Sequence, residues 1–415
     1  MLLKKVLNKH FTQKQQMVLN QFINNKDWSL MINYGAVRSG KTVANNYCFI
    51  MSLIRVRKLA DKDKVKDPLY ILAGTSKKNI YNNVLNPLFN DFDLIPEQDS
   101  IGNLHLFGVT IILAYTGTIA GLRGIRGSSA YGAYINEASL ANEKVFEEIR
   151  DRCSEGEGRV ICDTNPDIPT HWLKQDYIDN PSKQIISNHF VLDDNTFLSK
   201  RYVETKKATT PSGMLYDRSV LGLWVTGEGV VYEDFDKDTM VVDDNQVPDN
   251  LNYYCGVDWG FAKGHENVIT VMGDDPETGV TYLTDIFSST GKFIDYWVDI
   301  AHKIQDQCGS YINFWCDSAR PEYVSYFQQN NIGARNADKS VMDGIEFCAE
   351  RIKMGKFKVL RKCAKPFLDD VFQYVWDPVK GVPKKEHDNV MDSFRYGLYN
   401  QHKKYDNQII RNIYL

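Results

Sequence analysis

Several features are missing from this sequence, and each absence narrows what it encodes. No apolar run approaches the roughly 18 residues that a membrane span requires, so no spanning helix is expected. Residues 1–10 lack the apolar core and small-residue cleavage site of a secretory signal, which makes a cytoplasmic setting the expectation. The eight cysteines, at 48, 153, 162, 255, 308, 316, 348 and 363, include no Cys-x-x-Cys pair and no neighbouring His cluster. That pattern argues against a zinc site or a disulfide framework and fits reduced core cysteines. Excess positive charge is missing too. A net charge of −4 argues against a protein that coats DNA through its overall potential, but leaves open a localised basic channel, particularly in an oligomer. There is no internal repeat and no low-complexity segment.

What is present suits a soluble globular protein: 415 residues, 43% of them apolar and 25% charged. That length is too great for one ordinary core and fits two domains. Short apolar runs at 29–34, 69–73, 110–114, 130–135 and 159–162 alternate with helical segments, the pattern of a parallel sheet flanked by helices. The charged run 58–68 reads as a solvated loop. Glycines, Pro248 and many acids break the periodicity between about 225 and 250. The expected division is an N-terminal domain over 1–235, with a lid region at about 170–235, a linker over 236–250, and a second domain over 251–415.

Residues 35–42 read Gly-Ala-Val-Arg-Ser-Gly-Lys-Thr, between a strand and a helix that carries Val43, Tyr47, Ile50, Met51 and Ile54 on one face. This is a phosphate-binding loop in its required context. Gly35, Ser39 and Gly40 let backbone N–H groups cradle phosphate, Lys41 reaches the β and γ phosphates, and Thr42 binds Mg²⁺. Arg38, inside the loop, is either a sensor of the γ-phosphate or a surface arginine. The strand over 130–135 ends in Asn136 and Glu137. Glu137 stands where a water-orienting carboxylate belongs, whereas Asn136 brings no negative charge to a position that is usually Asp. Asp163, ending the next strand, is a candidate for the missing charge. After it, Thr164 and Asn165 are placed to report hydrolysis to the rest of the domain.

The second half begins with a strand ending in Asp258 (Gly256-Val-Asp258-Trp-Gly260). A hairpin, a helix and a further strand ending in Asp317 follow, the outline of an RNase H-like sheet. Asp388 and Asp392 are four residues apart and so share a helix face. Carboxylates at adjacent strand ends suit a pair of Mg²⁺ or Mn²⁺ ions roughly 3.5–4 Å apart, cutting a phosphodiester. The basic residues Lys356, Lys358, Arg361, Lys362 and Lys365, interleaved with Phe357 and Phe367, form either a DNA-facing ribbon or a solvated hairpin face.

With these motifs in hand, nearly the whole chain resembles the large terminase subunits of tailed bacteriophages, which package DNA. The resemblance includes Phe11-Thr-Gln-Lys-Gln15, 35–42, Asn136-Glu137, Thr164-Asn165-Pro166 and 221–232. It implies a P-loop ATPase of the ASCE/RecA-like class followed by an RNase H-like nuclease domain. It makes Gln15 the adenine reader, and Arg123 or Arg126 an intersubunit arginine finger or a solvated charge. It also makes Asp258, Asp317 and Asp392 the catalytic triad, with Asp388 as a further ligand and Lys339 as a phosphate contact. Where many family members carry a His three residues before the last Asp, this chain has Asn389, with His387 or Asp388 as the compensating group. The implied cofactors are ATP with Mg²⁺, and Mg²⁺ or Mn²⁺ for cutting. The implied partners are double-stranded DNA, a small terminase subunit and the procapsid portal. The implied assembly is a ring on the portal, though an isolated chain could be monomeric. Action is expected in the host cytoplasm during virion assembly, not in the mature virion. The competing reading is a P-loop nucleic-acid translocase or repair ATPase with a non-catalytic C-terminal domain.

Overall fold

The computed structural model describes residues 10–180, 182, 184–260 and 266–413. Its contacts divide the chain into two compact units: one runs to Ala208 and takes up Tyr216–Val225, and the other comprises Thr209–Leu215 and the chain from Thr226.

The first unit is built on eight strands: β1 (Leu30–Gly35), β2 (Leu69–Gly74), β3 (Glu97–Gln98), β4 (Leu104–Leu106), β5 (Val109–Tyr115), β6 (Gly132–Ile135), β7 (Arg159–Thr164) and β8 (Ile185–Phe190). Their order is β3-β4-β5-β2-β6-β7-β1-β8. The run from β5 to β8 is parallel, and β3 and β4 pair antiparallel at one edge. Two apolar clusters cover the two faces. One gathers Met31, Phe49, Leu72 and Tyr134, and the other Leu30, Ile71, Phe146 and Cys162. Burial on both sides is why these strands read as continuous apolar runs rather than alternating ones.

Helix α1 (Gln13–Asn24) opens with a capping box between Thr12 and Gln15. Helix α2 (Lys41–Asp63) starts directly after the phosphate loop and outlasts its expected end near Lys58. Ala60 is buried in the core, and Arg57 pairs with Asp61 at 2.8 Å, so the chain stays helical until Lys64 closes it at φ 58°. The loop expected over 58–68 is therefore only its last few residues.

The second unit holds β9 (Val241–Val242), β10 (Asn252–Asp258), β11 (Asn267–Asp274), β12 (Thr281–Ser289), β13 (Asn313–Cys316), β14 (Ala334–Asn336) and β15 (Phe357–Leu360), ordered β14-β13-β10-β11-β12-β15-β9. Strands β10, β11 and β12 meander antiparallel, while β13 and β14 add in parallel beside β10. This is the expected RNase H-like arrangement. Helix α3 (Ile294–Cys308) buries Trp297 in the core, and α4 (Asn389–Ile413) lies across β10.

Residues 226–250, expected as the tail of the first domain and a linker, pack within this second unit. Val231 N–H donates to the Tyr374 carbonyl at 2.8 Å, the Phe235 ring packs at a steep angle against Phe367 and Phe372, and β9 pairs with β15. Apart from the half-buried Asp234, the acids that break the periodicity here are exposed, while Val231, Tyr232 and Phe235 between them anchor the segment.

Candidate functional site

In the first unit, β1, β6 and β7 are neighbours, with Tyr34 level with Thr164 and Ile135 level with Cys162, so their C-terminal ends meet at one edge. There a cavity of about 570 Å³ is lined by 37–43 together with Asn136, Glu137, Asp163, Thr164 and Asn165. Gly35 has φ 140°, and a Cβ on it would lie 2.0 Å from the Phe190 carbonyl oxygen, so no other residue fits. Arg38 (φ 60°) and Gly40 (φ 90°) are also left-handed, the conformation that turns successive N–H groups into an anion cradle. The Ser39 hydroxyl is buried there with no hydrogen-bond partner.

Lys41 is 6% exposed, and its Nζ donates to the Ala36 carbonyl and to Asn165 Oδ1, both at 2.8 Å. Burial pushes its pKa down to about 8, against the opposing pull of Asp163 and Glu137. Thr42 Oγ1 donates to Asp163 Oδ2 at 2.5 Å. Asn136 donates from Nδ2 to Asp163 Oδ1 at 2.9 Å, and its own Oδ1 accepts from Asn83 at 2.8 Å. Glu137 accepts from Asn79, and its pKa is raised by partial burial and by the Asp163 carboxylate. Ser139 N–H donates to Thr164 Oγ1 at 2.9 Å, and the two hydroxyls are bonded at 2.6 Å. Thr164 thus joins the Glu137 loop to the end of β7, and Asn165 joins that end to Lys41.

Gln15 stands behind the loop rather than in the cavity lining. Its Nε2 donates to the Gly40 carbonyl at 2.9 Å and its Oε1 accepts from Thr12 N–H at 2.9 Å, leaving one donor and one lone pair for a base. Arg38 is exposed at the cavity wall, and its carbonyl accepts from Asn195. Arg123 and Arg126 are both exposed, on and beside a 3₁₀ turn over Ile119–Gly124.

In the second unit, Val257 is level with Cys316, so Asp258 and Asp317 end adjacent parallel strands side by side. Asp317 N–H donates to the Val257 carbonyl at 2.9 Å. Helix α4 is brought against β10 by two glycines. A Cβ on Gly256 would lie 1.8 Å from the Ser393 carbonyl oxygen, and a Cβ on Gly397 would lie 2.8 Å from the Gly256 nitrogen. Ser393 then donates to the Gly256 carbonyl at 3.0 Å, which carries its neighbour Asp392 to the strand ends. Asp388 lies one turn earlier, its carbonyl accepting from Asp392 N–H.

Asp258, Asp317, Asp388 and Asp392 are all buried. Burial, and then repulsion from the other three carboxylates, raises the Asp258 pKa well above the usual range. Cations offset the charge. Arg395 donates to Asp392 Oδ1 at 2.7 Å, Lys339 to Asp317 Oδ1 at 2.7 Å, and Lys385 lies 3.4 Å from Asp392 and 3.5 Å from Asp388. Among the described residues, no group of three His, Cys, Asp or Glu side chains is already drawn together to hold an ion. The donor set itself is all carboxylate oxygen, which suits hard divalent cations such as Mg²⁺ or Mn²⁺.

Residues 32–237 match the family model described as "Terminase large subunit, T4likevirus-type, N-terminal". The large terminase of a thermophilic bacteriophage, solved in complex with ADP, superposes with a TM-score of 0.76 at 25% identity, covering 93% of this chain and 98% of that one. The chain belongs to the phage large terminases. The ATP-γ-S complex of the same thermophilic phage protein matches over the same shares, with a TM-score of 0.75 at 24% identity. No curated protein sequence matches. A large terminase is an ATPase and a nuclease that packages and cuts phage DNA, so the competing reading of a non-catalytic second domain falls away.

Two expectations about this terminase need revision. Phe357 and Phe367 are fully buried and pack on one another, so they are core residues and not platforms for bases. Three of the four cations between them are also engaged: Lys358 donates to the Thr239 carbonyl, Arg361 pairs with Asp243 and Lys362 with Asp285. His387 is turned towards Asp370 at 3.5 Å, away from the acids it was expected to serve. Sequence reasoning misses Asn79, Asn83, Ser139 and Lys385, which carry no local signal. Arg395 did have one, since it lies three residues after Asp392 on the same helix.

Proposed function

We propose that this large terminase hydrolyses ATP in the cavity beside Lys41 and cuts DNA at the cluster of Asp258, Asp317 and Asp392. The thermophilic phage terminase was solved with ADP and with ATP-γ-S, and the same fold here presents an anion cradle at the end of β1. In the nucleotide cavity Lys41 exchanges the Ala36 carbonyl and Asn165 for phosphate oxygens, and the exposed Arg38 reaches the γ-phosphate from the wall. Glu137, with its raised pKa, accepts the proton of the attacking water. Release of Lys41 frees Asn165, and the Thr164–Ser139 bond passes that change to the Glu137 loop.

Mg²⁺ at the ATP site would neutralise phosphate charge, and two Mg²⁺ or Mn²⁺ ions at the nuclease site would in addition supply the attacking hydroxide. Asp258, Asp317 and Asp392 would hold the nuclease pair, with Asp388 completing the set. Lys339 and Lys385 balance the carboxylates until then, and turn to the phosphodiester afterwards. The single observation that carries the cutting reading is the level placement of Asp258 and Asp317, onto which the glycine-lined contact of α4 brings Asp392.

Double-stranded DNA is the substrate of both halves, held mainly through phosphate and so in a salt-dependent way. The further partners of this reading are a small terminase subunit, the procapsid portal and further copies in a ring, with Arg123 or Arg126 at the ring contact. The place of action is the host cytoplasm during assembly. ATPase assays test the first half, with Lys41→Ala and Glu137→Gln expected to lose turnover while the nuclease persists. A Glu137→Gln protein that turns over like the parent would remove Glu137 from its role.

A further inference from the structure

The ATP site of this chain lacks an acid at position 136, and a different residue stands ready to do that work. Building on the ATPase reading above, we propose that Asp163 is the acid that recruits the divalent cation with the nucleotide, and that Asn136 is the neutral neighbour that makes this arrangement possible.

Strands β6 and β7 are parallel neighbours with Ile135 level with Cys162, which sets residues 136 and 163 side by side at the sheet edge. Their side chains touch, Asn136 Nδ2 to Asp163 Oδ1 at 2.9 Å. Two carboxylates at that separation, both almost fully buried, would repel strongly, so only one of the two positions can carry the charge. Position 136 is an amide, so the carboxylate of the pair is Asp163. Thr42, the loop hydroxyl, donates to the other oxygen of Asp163. The Asn136 amide is used at both ends, its NH₂ on Asp163 and its oxygen on Asn83. Asn136 lines the cavity too, but its amide is held as a donor towards the acid, with its oxygen taken by Asn83. Asp163 lines the same cavity as Thr42 and is bonded directly to it. A hard cation demands anionic oxygen, and Asp163 is the carboxylate that the loop hydroxyl selects. The negative charge sits one strand over, with an amide in the place where the acid was expected.

This predicts a charge swap. Four proteins should be compared: the parent, Asp163→Asn, Asn136→Asp, and the double variant. The readout is affinity for a fluorescent ADP analogue, with Mg²⁺ and with EDTA, beside ATP turnover and melting temperature. The parent should bind more tightly with Mg²⁺. Asp163→Asn should bind as the parent does in EDTA but lose the Mg²⁺ increment by roughly tenfold or more. Asn136→Asp alone should melt lower, with no gain in Mg²⁺ response. The double variant keeps one acid and one amide at the two strand ends, and should recover both the melting temperature and most of the increment. If Asp163→Asn proves too unstable to assay, Asp163→Ser is measured in its place. A full Mg²⁺ increment in a folded variant that keeps Asn136 and lacks the Asp163 carboxylate would overturn the assignment. If the parent binds no nucleotide even in EDTA, the ATPase reading itself fails instead.

Discussion

The ammonium of Lys41 donates to Asn165 Oδ1 at 2.8 Å, tying the phosphate loop to the end of a strand 124 positions further along the chain. This contact and one to the Ala36 carbonyl are what satisfy a buried cation. Asn165→Ala should therefore destabilise the nucleotide-free protein by about 1–3 kcal/mol, the cost of leaving a buried charged donor short of a partner. ATP should narrow that gap, because phosphate replaces the lost acceptor. Thermal melting of both proteins with and without ATP-γ-S checks this, and an equal gap in the two conditions would count against it.

Arg395 and Asp392 form a buried pair at 2.7 Å, with the arginine 2% exposed. Removing one partner of such a pair costs about 3–5 kcal/mol, whereas replacing both is far less harmful. Arg395→Met should lower the urea midpoint markedly and abolish cutting, while Arg395→Met with Asp392→Asn regains most of the stability and none of the activity. ATP turnover should be unaffected in both.

Gly256 meets the Ser393 carbonyl where α4 crosses β10, and a methyl group there would stand 1.8 Å from that oxygen. Gly256→Ala must push the helix outward, carrying Asp392 away from Asp258 and Asp317. The expected result is a loss of plasmid cleavage on the order of a hundredfold or more, in keeping with the effect of about an ångström of misplacement at a reacting centre. Normal cleavage by a folded Gly256→Ala protein would refute this account of how the helix is placed.

Asp258 faces Asp392, Asp317, Asp388 and Lys385, and its pKa is raised by burial and then by the three acids. An acid whose folded pKa exceeds its unfolded value favours the folded state when protonated, and that contribution is lost as pH rises through the folded pKa. Without metal, Asp258→Asn should therefore be more stable than the parent at neutral pH, by about 1 kcal/mol. The difference should shrink as pH falls and the parent's Asp258 takes up its proton. Melting curves across pH in EDTA measure it, and a constant difference would show that charge is not the cause.

Both active centres were legible in the sequence to the extent that their chemistry is local. The phosphate loop announces itself because Gly35, Gly40, Lys41 and Thr42 lie within eight contiguous positions, and Asp258 and Asp317 because each ends an apolar strand. What distant residues contribute was not legible. Nothing near Lys385 signals that it balances Asp388 and Asp392, and Lys339, expected on phosphate, rests on Asp317. The stretch 226–250 reads as the tail of the first domain and a linker over 236–250 because its acids are conspicuous, while the few apolar residues that anchor it to Tyr374 and Phe367 are too sparse to show a period. Phe357 and Phe367 failed as DNA contacts for a related reason: aromatics between lysines look the same whether the strand between them is bare or, like β15, paired on both sides.

The central claim is that one chain carries a nucleotide site at Lys41 and a separate metal-dependent nuclease at Asp258, Asp317 and Asp392. The most direct test is cleavage of supercoiled plasmid by the purified protein in Mn²⁺, Mg²⁺ and EDTA, with Asp258→Asn and Asp317→Asn alongside and ATP turnover measured on the same preparations. Cutting should require metal and disappear in both variants, with their ATP turnover intact. Cutting that survives in a folded Asp317→Asn protein would contradict it.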